Sequence, residues 1–109
     1  MLKRSQKKMK LYAPADAGTG KFIGYYPVSV SFRTSEEVES GDMLYTNHRY
    51  VIFCSAARAP EGGFCRGMIL EGDGGERYHI LSPVLAGRLW IIKAQRTLMN
   101  GEEESYGRI

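Results

Sequence analysis

Residues suited to chemistry are scarce in this chain, and the scarcity excludes several classes of protein. There are two cysteines, Cys54 and Cys65, with no Cys-X-X-Cys pair. That is too few for a disulfide scaffold, and with no export signal the thiols are expected to be free. The histidines are His48 and His79. A zinc site from His48, Cys54, Cys65 and His79 would need ligand pairs about two to five residues apart. His48 and Cys54 share a strand phase but would sit roughly 20 Å apart along it. Cys54 lies in the apolar run YVIFC, where a small buried hydrophobe is the plainer role. No nucleophile, base and orienting group converge, and the carboxylates gather in turns and in the C-terminal tail, so no catalytic or cofactor residue is assigned. Apolar runs stop at strand length, well short of the ~18–20 residues of a membrane span. The basic N-terminus, MLKRSQKKMK, has no apolar h-region behind it and is not a secretory signal.

What the chain does contain is strand and turn signal. Phe22, Tyr26, Val28, Val30 and Phe32 alternate with Ile23, Tyr25, Pro27, Ser29 and Ser31, the period-two pattern of a strand with one buried face. Pro27 cannot donate to a ladder, which places this strand at an edge or beside a bulge. Met9–Tyr12 reads as a short first strand. Met43–Ser55 is polar-mixed at first and apolar on both faces at its end, as in a barrel or sandwich interior. Gly67–Leu81 reads as a hairpin around GDGG, where Asp-Gly favours a type I′ turn. Leu89–Thr97 is the last strand, with Trp90, Ile92 and Ala94 on one face and Leu89, Ile91 and Lys93 on the other. Between these lie PADAGTG, TSEEVESGD, AARAPEGG and SPVLAG, all read as loops or turns. Thr34 with Glu37 fits a capping box, so one short helical turn is expected there.

The 109 residues are one domain by length. The expected architecture is mainly β: a small antiparallel barrel or meander of about five or six strands, with at most one short helix. Its bounds are 11–98, preceded by a basic flexible arm over 1–10 and followed by an acidic flexible tail over 99–109. Lys3, Arg4, Lys7, Lys8 and Lys10 make the arm positive; Glu102, Glu103 and Glu104 make the tail negative. Such ends are ordinarily solvated. The functional alternative is that the arm touches nucleic acid or an acidic partner, with salt-sensitive affinity and no sequence preference. Strand tyrosines on a small basic barrel stack single-stranded bases in some proteins, but filling the core and pairing across strands is the plainer role for these rings. Gly18–Lys21 (GTGK) imitates the end of a phosphate-binding loop. The full motif needs glycine where Ala15 stands and Ser or Thr where Phe22 stands, so a flexible turn is the better account.

From Leu44 to Thr97 the chain resembles the head–tail joining proteins of tailed bacteriophages, the head-closure and head–tail adaptor proteins. The resemblance lies in the order and spacing of HRYVI (His48–Ile52), RYHILSP (Arg77–Pro83) and GRLWIIKAQRT (Gly87–Thr97). Family members often carry a tryptophan-containing strand where this chain has GKFIGYYPVSVSF. The resemblance implies a non-enzymatic virion structural protein, made in the host cytoplasm and built into a homo-oligomeric ring beneath the portal. The isolated chain could be a monomer; its partners would be other connector, portal or tail proteins, with DNA passing transiently and no membrane involved. Loops are the expected assembly surfaces, with Asp16, Gly18, Glu36, Glu37, Arg58 and Glu61 as candidates. A small nucleic-acid-binding barrel using the basic arm is the alternative.

Overall fold

The computed structural model describes residues 6–16 and 20–99. Among them six strands follow one another: β1 (Lys7–Tyr12), β2 (Phe22–Ser40), β3 (Met43–Ser55), β4 (Ile69–Glu71), β5 (Arg77–Ala86) and β6 (Leu89–Met99). Among the described residues one 3-10 turn, Ala56–Arg58, interrupts them, capped by the Ser55 hydroxyl, which accepts from the Ala57 N–H. All pairings are antiparallel, and the sheet closes as β1-β2-β3-β6-β5-β4. Closure removes most of the unpaired edge that a small open sheet would present.

Alternation explains the core. Met9 and Leu11 of β1, Val28 of β2, Ile52 and Cys54 of β3, Leu70 of β4, Tyr78 and Ile80 of β5, and Ile92 and Ala94 of β6 all point inward and are buried. Tyr26, Val30, Tyr50 and Trp90 pack around them, and Phe64 closes the cluster from the loop before β4, edge-on to Trp90 with centroids 5.5 Å apart. Every strand contributes, so the barrel interior is filled by side chains rather than left open.

Two strands change partners along their length. β2 pairs with β1 as far as Val28 and with β3 from Ser29 onward. Pro27 falls in the stretch paired on one side only, as its missing N–H requires. Similarly, β5 pairs with β4 over Arg77–His79 and with β6 from His79 to Ala86. Register shifts fall at Ile23 and Arg33 of β2 and at Leu81 of β5.

Four expectations are corrected. TSEEVESGD is not a loop with a helical turn: β2 runs through it to Ser40, and only Gly41-Asp42 turns. Glu36 and Glu37 are therefore strand residues. Strand pairing across the bulge supplies the backbone hydrogen bonds that a capped helix would have supplied. SPVLAG is likewise strand, with the turn confined to Gly87-Arg88. β1 begins at Lys7, so Lys7, Lys8 and Lys10 sit in the sheet rather than on a flexible arm. Lys3, Arg4, Gly18 and the acidic tail over 100–109 lie outside the described residues. Finally, the GDGG turn is not type I′, since neither Asp73 nor Gly74 has positive φ; only Gly75 does, at 85°. The Gly75 N–H donates to the Gly72 carbonyl and the Gly72 N–H to the Glu76 carbonyl. That is a type I turn closed by a left-handed glycine, the usual three-residue hairpin.

Candidate functional site

Beyond the barrel, β2 and β3 continue as a projecting arm. Their ladder runs unbroken from Thr34↔Arg49 to Ser40↔Met43, and β6 backs it from Gln95↔Arg49 to Met99↔Tyr45. From Thr34 to Ser40 the arm extends ~20 Å at the usual strand rise. It is exposed along the whole β2 side. Glu36, Glu37 and Glu39 lie on it, and Val38, Met43 and Leu44 expose apolar surface towards its tip. Backing by a third strand matters, because a two-stranded ribbon alone is marginal in water. On one face Gln95 Nε2 donates to Thr97 Oγ1 at 3.1 Å and Thr97 Oγ1 donates to Asn47 Oδ1 at 2.7 Å, tying β6 to β3. At the root of the other face Phe32, His48, Tyr50 and Tyr78 form a chain of ring contacts, with the Arg96 guanidinium over Tyr78. Burial, and then the neighbouring Tyr50, raise the Tyr78 hydroxyl above its ordinary pKa.

At the base of the arm lies a cleft of about 540 Å³ lined by four cations: Arg33, Arg49, Arg66 and Lys93. The register explains why they meet. Val51, Lys93 and Ser82 form one cross-strand row on the outward side of β3, β6 and β5. Arg49 lies two residues from Val51 on the same face. The β2 bulge adds Arg33, the β5 bulge adds Leu81, and the loop before β4 adds Arg66. Bulges commonly re-aim side chains in this way next to functional surfaces. Among the described residues no carboxylate lines the cleft, and all four cations are exposed.

A third feature lies across the barrel. Lys8 and Lys10 point outward from β1, with Lys10 opposite Tyr25 and Lys8 opposite Pro27. Tyr12, Phe22 and Tyr25 form an edge-to-face series there, and Phe22 and Tyr25 are exposed. Beside them the Tyr12 hydroxyl donates to Glu71 Oε1 at 3.0 Å and Arg77 Nε donates to Glu71 Oε2 at 3.2 Å. Burial pushes the Glu71 carboxyl upward, but the hydrogen bonds from Tyr12 and Arg77 outweigh it and hold its pKa below the usual value. Hydrogen bonding to that carboxylate, with some burial, raises the Tyr12 hydroxyl.

The sequence-predicted residues do not form one site. Lys7, Lys8 and Lys10 are exposed on β1, Asp16 is exposed in the bend after it, Glu36 and Glu37 are on the arm, and Arg58 and Glu61 are exposed around the 3-10 turn. The four cleft cations were not foreseen as a group. They stand 16 to 27 residues apart in sequence, and only strand register joins them. Cys54 is buried and Cys65 exposed, both as free thiols, and desolvation raises the Cys54 pKa. No group of metal-ligating side chains occurs among the described residues, and no helix there is long and apolar enough to cross a membrane. No family model, no curated protein and no solved structure matches this chain.

Proposed function

We propose that the protein is a non-enzymatic assembly subunit, a tailed-phage or prophage virion protein that joins head to tail as part of a connector ring beneath the portal. The observation that carries the assembly reading is the β2–β3 arm. A ~20 Å projection with an exposed acidic strand and an apolar tip has no use in stabilising its own barrel. Exposed apolar and strand-edge surface of this kind is characteristic of contacts between subunits. The filled interior supports the same reading, since function then has to lie on the outside. The phage assignment adds the resemblance of Leu44–Thr97 to head–tail joining proteins. Portal and tail proteins would be the neighbours, and the virion the location.

The test is mass spectrometry of purified particles from an induced culture of the source strain. The expected result is this chain at a few copies per particle, far below the major capsid protein. Intact tailed particles without it would refute the assignment.

A second reading, a nucleic-acid-binding barrel, draws on Lys8 and Lys10 beside Tyr25 and Phe22, since alternating cations and rings suit a single strand. It requires affinity for single-stranded DNA that falls steeply with salt and is lost in Lys8→Glu/Lys10→Glu. Salt-independent or absent binding would remove it.

A further inference from the structure

We propose that the acidic arm of one copy docks in the cationic cleft of the next, so that arm and cleft are the two halves of one head-to-tail interface. The inference deepens the ring reading above by naming the surfaces, and it rests on the assembly part of that reading.

Charge complementarity identifies the occupant. The cleft gathers Arg33, Arg49, Arg66 and Lys93 with no carboxylate among its described lining residues. Among the described residues, none of the four forms an ion pair with an acid; the ion pair found there joins Arg77 to Glu71 on the far side. The arm presents Glu36, Glu37 and Glu39 in four successive positions, all exposed, with Asp42 in its turn. None of these carboxylates has a cationic partner among the described residues either. Among its described residues one molecule therefore carries a positive concavity and a negative projection, neither with an ion-pair partner there.

Among the described residues the arm's own acids form no ion pair with the cleft cations. Arg33, Thr34 and Arg49 belong both to the cleft and to the root of the arm. Glu36 lies diagonal to Arg49 on the same face, and the ladder from Thr34 to Ser40, backed by β6, carries Glu37 and Glu39 farther from the cleft and holds them there. Bending back would break that ladder. A second copy has no such constraint. The cleft reaches from β2 across β3 and β6 to β5, about 15 Å at the usual strand spacing, which is wide enough for the edge of a hairpin. On its β5 side, Ser82–Ala86 has no strand partner other than β6, so a backbone edge borders the charges. Docking would also cover Val38, Met43 and Leu44, which the isolated chain leaves exposed. Because the two surfaces differ, the contact is heterologous, and repetition gives a ring if the rotation closes and a filament if it does not.

Charge reversal with mixing tests this. One variant carries Arg49→Glu and Lys93→Glu; the other carries Glu36→Lys, Glu37→Lys and Glu39→Lys. All these positions are exposed, and circular dichroism checks that each variant folds. Sedimentation velocity at low salt and high protein concentration is expected to show association for the wild type, a monomer for each variant alone, and restored association when the two are mixed, since each then offers the other an opposite charge. Carbodiimide coupling of a ¹⁵N-labelled and unlabelled wild-type mixture should yield peptides of mixed isotope joining the arm glutamates to Lys93. Three outcomes would overturn the interface: variants that associate like the wild type, a mixture that stays monomeric, or the absence of mixed-isotope Lys93 links. Should that happen while particles still contain the chain, the head–tail joining reading stands with other surfaces. Loss of DNA affinity in the cleft variant, with wild-type association unchanged, would assign the cleft to nucleic acid instead.

Discussion

Gly62 and Gly63 form an internal control for how tightly one end of the barrel is closed. Both have positive φ, 85° and 78°, a region that costs an L-residue about 1–2 kcal/mol. They differ in what a methyl group would meet. Nothing lies within 4 Å of a Cβ on Gly62, whereas a Cβ on Gly63 would run into the Trp90 ring. That ring is held by Phe64 at 5.5 Å and by the core, and overpacking at such a site costs a further ~1–3 kcal/mol. Gly62→Ala is therefore expected to cost about 1–2 kcal/mol and Gly63→Ala about 2–5 kcal/mol. At roughly 4–8 °C per kcal/mol for a domain near this size, the two melting temperatures should separate clearly. Urea denaturation followed by far-UV circular dichroism measures the two free-energy costs, and thermal melts give the two temperatures. In a Trp90→Leu background the excess cost of Gly63→Ala should vanish, because the steric part belongs to the pair. Equal losses for the two glycines, or an excess that survives without Trp90, would refute the packing described between this loop and β6.

Three further outcomes are expected. Ile92→Ala removes a fully buried side chain from the centre of β6 and should cost about 2–5 kcal/mol, while Val38→Ser on the exposed arm should stay within about 0.5 kcal/mol; chemical denaturation of both checks whether core and arm are energetically separate. Glu71 has a lowered pKa in the fold, so its contribution is present above the ordinary glutamate pKa and is lost as pH falls through the folded value. Melts of wild type and Glu71→Gln should therefore differ at neutral pH and converge in acid, and a gap that persists unchanged in acid would contradict the hydrogen bonds from Tyr12 and Arg77. An aromatic disulfide reagent should label Cys65 in the native protein and Cys54 only on unfolding, since Cys54 is buried and its thiol pKa is raised; rapid native labelling of both would mean that β3 opens readily.

The barrel was legible because alternation survives in the segments that build it. The inward sets Trp90–Ile92–Ala94 and Val28–Val30 follow directly from phase, and both lie where hydrophobic burial is decided residue by residue. The arm was not legible for the same reason. Strand propensity and alternation report half-buried surface, and Thr34–Ser40 is exposed on both faces. Its strand state comes from the ladder to β3 and, through β3, from β6, which is tertiary context. Glutamates, serines and a glycine in such a segment look like a capped turn when no partner is visible. SPVLAG failed similarly, since Pro83 is tolerated where β5 has β6 on one side and no strand on the other.

The site was illegible at a different step, and the bulges show which. From Gly24 to Phe32, even-numbered β2 residues share the inward face of Tyr50 and Ile52; after Arg33, Thr34 is opposite Arg49 and the even residues turn outward. One unpaired residue thus reverses the faces of the whole arm. It also places the arginine itself in the cleft. At Leu81 the same device resets β5, so that Ser82 rather than Leu81 pairs with Lys93. Alternation continued straight through either position would assign wrong faces beyond it and would separate Arg33 from Arg49. Both strands that exchange partners bulge close to the exchange, and the cleft lies between the bulges at Arg33 and Leu81. The features that close a small barrel also spoil the sequence pattern and create the concavity that needs an occupant.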